Sequence, residues 1–259
     1  MARNSQLSRS VEGKVALITG AASGMGRATA HLFSDEGAKV AVTDLTSDGV
    51  ETVVNEITSA GNIAKGWTLD VTDASRAEAV VGEVVDTYGR LDMLVNNAGI
   101  ALFTEVDSPE FEDNWATSID VLLTAHTRMI RAALPHLRRS DCPRIVNIAS
   151  TEGFGATKHN SPYVAAKHGV VGLTKGLAVD LGREGITVNC ICPGPILTGL
   201  TDSIPEEQRT VYAKRRTALG RYGIPEEVAH GTLNFCLPAS QFMTGAILPV
   251  DGGLLVKNA

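Results

Sequence analysis

The stretch Lys14-Val-Ala-Leu-Ile-Thr-Gly-Ala-Ala-Ser-Gly-Met-Gly26 decides the fold. Lys14 to Thr19 is a short β-branched apolar run, which suits a buried strand. The turn that follows holds Gly20, Gly24 and Gly26, where a missing Cβ lets the backbone bend sharply and approach a ligand. Met25 to Glu36 has helical spacing and stops at Gly37. Strand, glycine-rich turn and helix together start a βαβ unit, and the helix N-terminus offers unpaired N–H groups and positive dipole to a pyrophosphate. A glycine turn by itself also serves loop geometry alone, so the rest of the chain has to speak.

The pattern repeats. Lys39 to Asp44, Ala64 to Asp70, Leu91 to Asn96, Arg144 to Ala149, Ile186 to Ile191 and Ala246 to Val250 read as further strands, with helical stretches such as Asp48 to Ala60 between them. Near-continuous apolar strands separated by helices predict an α/β, doubly wound, parallel sheet covered on both faces. No linker or repeat divides it. Residues 1–10 read as a flexible tail and 11–259 as one domain.

Composition narrows the function. The 259 residues carry 44% hydrophobic and 20% charged side chains and a net charge of −6, enough apolar material for a core. The longest basic run is Lys214-Arg215-Arg216, which speaks against nucleic acid as partner. The first ten residues have no apolar segment of a secretory signal, and no stretch reaches eighteen apolar residues, so neither export nor a membrane span is expected. Cys142, Cys190, Cys192 and Cys236 lack a zinc or redox spacing and read as buried thiols of a cytoplasmic protein. No metal is expected. The helix from Ser161 to Gly182 is apolar on more than one face, which points to a second copy of the chain packed against it, in a dimer or a homotetramer, or to deep burial within one chain.

Asp44 ends the second strand. A carboxylate there can accept both hydroxyls of an adenosine ribose, and it repels a 2′-phosphate; Thr43, Leu45 and Thr46 offer no compensating cation. NAD rather than NADP is the expectation, with a simple turn cap as the plainer reading of Asp44.

These residues resemble the short-chain dehydrogenase/reductase family from about Val11 to Gly253. Gly20, Gly24 and Gly26, with Ser23 and Met25 between them, look like its cofactor turn. Asn96-Asn-Ala-Gly99 looks like its fourth-strand motif, Tyr163-Val-Ala-Ala-Lys167 like its Tyr-x-x-x-Lys, and Pro193-Gly194, Thr198 and Asp251-Gly-Gly253 like further landmarks. The resemblance implies a seven-stranded, mainly parallel Rossmann-type sheet and an oxidoreductase that interconverts an alcohol and a carbonyl. It also implies that Asp70 and Val71 flank the adenine, that Asn97 lies near the cofactor ribose, and that Ile196 and Thr198 contact the nicotinamide carboxamide.

Tyr163 and Lys167 stand four positions apart, on one face of a helix. A free phenol has a pKa of about 10, and lowering it by two or three units takes about 3–4 kcal/mol. A lysine ammonium and an oxidised nicotinamide are the cations expected to supply this, making Tyr163 the general acid/base and Lys167 its tuner and ribose anchor. Ser150, at the end of the fifth strand, matches the family's catalytic serine and would hold the substrate oxygen.

One position departs from the pattern: Leu122 stands where many members have an asparagine that holds a proton-relay water. Three readings remain open. Backbone and other polar groups hold that water; His126, one turn later, takes over; or turnover is weak. The functions expected are therefore an NAD-dependent secondary-alcohol dehydrogenase, with 3-oxoacyl-thioester (acyl carrier protein) reduction and a cofactor-binding regulatory protein as alternatives. Leu102, Phe103, Phe154 and a lid over about 196–216, with a short helix at Pro205 to Tyr212, form the expected substrate wall.

Overall fold

The computed structural model describes residues 6–258. Seven strands form one sheet in the order β3-β2-β1-β4-β5-β6-β7. They are β1 (Val15–Thr19), β2 (Lys39–Asp44), β3 (Ala64–Thr68), β4 (Met93–Asn96), β5 (Arg144–Ile148), β6 (Thr187–Pro193) and β7 (Ile247–Val250). Every pairing is parallel. β1, β4, β5 and β6 are buried along their whole length, as expected of strands covered on both faces.

Alternate residues of one strand feed two cores. Ala16 and Ile18 of β1 point to the side of α1 (Gly24–Asp35), α2 (Ser47–Ser59) and α8 (Pro225–Cys236), where Phe33, Val53 and Phe235 pack. Val15 and Leu17 point to the side of α3 (Ala74–Tyr88), α5 (Ala125–Leu137) and α6 (Ser161–Leu181), against Val80, Met129 and Leu181. Burial of such side chains contributes roughly 1.5–3 kcal/mol each.

Boundaries shift where polar side chains intervene. β3 stops at Thr68 rather than Asp70, because the Asp70 carboxylate accepts from Thr72 N at 2.9 Å and Thr72 Oγ1 at 2.7 Å and turns the chain. α4 (Phe111–Ile119) runs into α5 through a π turn, Asp120–Thr124, that no sequence signal announces. α7 (Glu206–Arg216) is longer than the helix expected in the lid. Of the expected tail, residues 1–5 lie outside the described residues; Ser8 O accepts from Ala239 N at 2.8 Å, which ties that part to the body. All four cysteines are buried and free. Among the described residues no helix is long and apolar enough to cross a membrane.

β1 and β4 are neighbours in the sheet, yet their connections leave in opposite directions along it. Open α/β sheets leave a crevice at such a point, outside the carboxyl ends of the strands.

Candidate active site

The crevice is present and is lined at one end by Gly20, Ser23, Gly24, Met25 and Asp44. Gly20 and Gly24 have φ of 64° and 51°, in the left-handed region. A Cβ on Gly20 would lie 2.7 Å from Ala98 Cα, and one on Gly26 2.1 Å from Gly20 O, so no side chain fits either position. Gly26 thus acts from beneath, by letting α1 start close under the turn. Asn97 lines the crevice and also braces it: its amide donates to Thr19 O at 2.9 Å and Gly20 O at 3.0 Å. Thr19 completes the brace, since its Oγ1 accepts from Asn97 N and Ala98 N, both at 3.0 Å. Sequence reading passed over Thr19, whose last-in-strand position was the available signal.

Asp44 accepts from Ala22 N at 2.9 Å and from Leu45 N at 2.7 Å. The plainer reading as a turn cap is therefore realised, and each oxygen, with one bond accepted, keeps further acceptor capacity. Asp70 and Val71 line the adjoining wall beside Leu69. The two hydrogen bonds from Thr72 hold the Asp70 carboxyl below the usual aspartate range. Among the described residues that line the crevice, Lys167 is the one cation.

At the other end stand Tyr163 and Lys167, on one face of α6. The Lys167 ammonium donates to Ile148 O at 2.9 Å and lies 5.5 Å from the centre of the Tyr163 ring. Ser150 follows β5 and lies outside the residues lining the crevice, though its hydroxyl bears on the Tyr163 phenol and pulls it down. Its Oγ also accepts from Glu152 N at 3.1 Å, which leaves the serine proton free to be donated. Glu152 was not foreseen. Its carboxylate accepts from Thr157 N and Thr157 Oγ1, each at 2.8 Å, and so fixes the loop before α6.

The charges differ from the expectation of a lowered phenol. Burial pushes Tyr163 up to about 12, against a smaller downward pull from the Ser150 hydrogen bond, with the Glu152 charge adding to the rise. Burial also pulls Lys167 down to about 8. The protein supplies one of the two expected cations, and desolvation weakens that one.

Thr198 lines the crevice with Gly199 and Leu200. Ile196 does not: its side chain is 6% exposed, turned toward Gly223, and lines a separate hollow, while its carbonyl accepts from Thr201. Leu122 is fully buried, lines the crevice and packs on Gly99. Phe103 and Phe154 are exposed and stand away from the crevice lining, which gives no closed substrate wall.

Gly20, Tyr163 and Lys167 thus line one crevice across the switch point of a Rossmann-type sheet, with Ser150 beside it. Residues 20–255 match the sequence family described as enoyl-(acyl carrier protein) reductase. The 3-oxoacyl-(acyl-carrier-protein) reductase of Thermotoga maritima is 39% identical over 249 residues, covering 95% of this chain and 99% of that protein. The meso-2,3-butanediol dehydrogenase of Serratia marcescens is 37% identical over 252 residues, covering 95% and 96%. A crystal structure of a short-chain type dehydrogenase/reductase from Mycobacterium marinum superposes with a TM-score of 0.90 at 31% identity, covering 96% of this chain and 98% of that one. The chain belongs to the short-chain dehydrogenase/reductase family and is an oxidoreductase of that class.

Proposed function

We propose that this oxidoreductase prefers NAD and interconverts a secondary alcohol and its ketone. The observation that carries the reading is a single crevice with Asp44 at one end and Tyr163 and Lys167 of one helix face at the other, with Ser150 bearing on the phenol from the end of β5. The residues fit a dinucleotide, because Gly20 and Gly26 admit no Cβ and leave backbone as the cradle. Gly20, Ser23, Gly24 and Met25 would hold its pyrophosphate, Asp44 the adenosine ribose, Asp70 and Val71 the adenine, and Thr198 the carboxamide. When bound, the nicotinamide supplies the hydride acceptor or donor.

The chain's own residues handle the proton. Ser150 donates its free hydrogen to the substrate oxygen and fixes it beside Tyr163. During oxidation the Tyr163 phenolate oxygen takes the hydroxyl proton; during reduction the phenol returns it. Lys167 lowers the cost of the phenolate and holds a ribose hydroxyl.

Purified protein offered NAD and a panel of secondary alcohols should form NADH, read by absorbance, with NADP giving less. Cofactor binding with no turnover across the panel would leave the regulatory alternative. Reduction of 3-oxoacyl thioesters is the second reading, favoured by the relatives bearing that activity in their names. A 3-oxoacyl thioester and a simple ketone compared at equal concentration separate the two. A homo-oligomer through α6 belongs to the same proposal: Val179 of that helix is 81% exposed, and light scattering reads the assembly mass.

A further inference from the structure

His126 is the most isolated polar side chain near the crevice. It opens α5 directly after the π turn, is 3% exposed, and neither ring nitrogen has a partner within hydrogen-bond distance, Asn147 being the side chain that bears on the ring. In either neutral tautomer an imidazole brings one donor and one lone pair, and folded interiors leave such groups unfilled only rarely. Its neighbours Ala125, Met129 and Ile130 are apolar core, so packing alone would be served by a hydrocarbon here.

The ring faces a narrow hollow shared with Thr19, Asn96, Ala98, Val71 and Val121. The last three also line the crevice, so one layer of side chains separates His126 from it. Asn96 Oδ1 is a second buried atom without a partner. Its amide donates to Asn147 Oδ1 at 2.9 Å, and Asn147 donates to Thr174 Oγ1 at 3.0 Å. That polar rung crosses β4, β5 and α6 and passes next to Ile148, the residue whose carbonyl holds Lys167. Asn96 of β4 shares the hollow with the imidazole, while Asn147 of β5 and the Lys167 charge of α6 bear on it electrostatically; Lys167 in turn is influenced by Cys190 and Cys192 of β6. Burial and the Lys167 charge push His126 down to about 3, against a smaller upward pull from Asn147, so the ring is neutral near pH 7.

We propose that His126 is a positioning residue for Lys167: with Asn96, Asn147 and Thr174 it forms a neutral polar bed that keeps the lysine ammonium charged beside Tyr163. Leu122, about one turn earlier and fully buried, has no polar atom for that task. The inference rests on reading Tyr163 and Lys167 as the proton-handling pair, and it adds a residue that touches neither substrate nor cofactor.

The test follows the Lys167 side chain by NMR through a pH titration, its signal assigned by loss in Lys167→Met. No substrate is needed, so a chain without dehydrogenase activity still gives an answer. His126→Leu should lower the Lys167 midpoint by about one pH unit, and His126→Gln should bring it back to within about 0.3 unit. With an active substrate, His126→Leu should lose about tenfold in kcat at unchanged KM, a loss of about 1.4 kcal/mol. Adding Leu122→Asn to His126→Leu should recover most of it. An unmoved midpoint in a folded His126→Leu, or His126→Gln no better than His126→Leu, overturns the proposal. If His126→Leu does not fold, ring nitrogen-15 shifts of His126 in the natural protein and in Lys167→Met decide: identical shifts overturn the coupling.

Discussion

The two ends of the crevice are built from different materials. At the Gly20–Asp44 end the wall is backbone: glycines that admit no Cβ, with side chains such as Asn97 and Thr19 bracing the turn. At the Tyr163–Lys167 end the wall is buried ionisable side chains, a phenol pushed up to about 12 and an ammonium pulled down to about 8. Binding can be made from geometry that costs little once the turn has formed. Proton transfer needs ionisable groups kept from water, and that desolvation lowers stability.

The largest expected effect lies at the side-chain end. Tyr163→Phe should cut kcat by about a thousandfold while the dissociation constant for NADH, read by fluorescence, stays within a few-fold. A comparable loss of NADH binding would blur the division between the two ends. Gly26→Ala should act oppositely, because its Cβ would meet Gly20 O at 2.1 Å. Forcing α1 away from the turn should cost about 1–3 kcal/mol, seen as weaker cofactor binding or a lower melting temperature.

Asp44→Ala should weaken NAD by about tenfold and narrow the gap to NADP, since charged hydrogen bonds contribute about 1.5–3 kcal/mol. Asp44→Asn, which removes the charge but keeps an acceptor oxygen for one of the two backbone N–H groups, Ala22 or Leu45, shows by comparison with Asp44→Ala how much of the loss belongs to the charge. Unchanged cofactor preference in both would make Asp44 a turn cap alone.

A last effect, on stability rather than on binding or turnover, sharpens the cost at the other end. Lys167 titrates near 8 in the fold against an ordinary lysine value of 10.5. The unfolded chain therefore binds more protons between those values, and the natural protein gains stability as pH rises through that window. Below it the buried charge costs about 3 kcal/mol. Lys167→Met should then melt at or above the natural protein at pH 7 and lose that advantage by about pH 10. A variant that melts lower at both pH values would show the Lys167–Ile148 hydrogen bond to outweigh the desolvation.

Most of the sheet was legible because each strand is a self-contained signal. β2 was read at its observed limits, Lys39–Asp44, since apolar alternation ends at a carboxylate and a turn. Tyr163 and Lys167 were legible because four positions on a helix bring two side chains to one face. The π turn at Asp120–Thr124 was not, because its hydrogen-bond shift leaves the residue pattern of a helix intact. The direction of the Ile196 side chain was not legible for a related reason: the chain beyond β6 pairs back on Gly223, and that contact, distant in sequence, turns the side chain into a separate hollow.

The order of residues by itself determined the parallel sheet, the glycine turn and the Tyr163–Lys167 spacing, since each depends on neighbours only a few positions away. Tertiary structure alone decided how far the phenol and ammonium are desolvated, which wall the Ile196 side chain faces, and that a buried histidine lies behind the crevice. Those depend on which distant segments exclude water from a given atom, and local pattern holds no record of that.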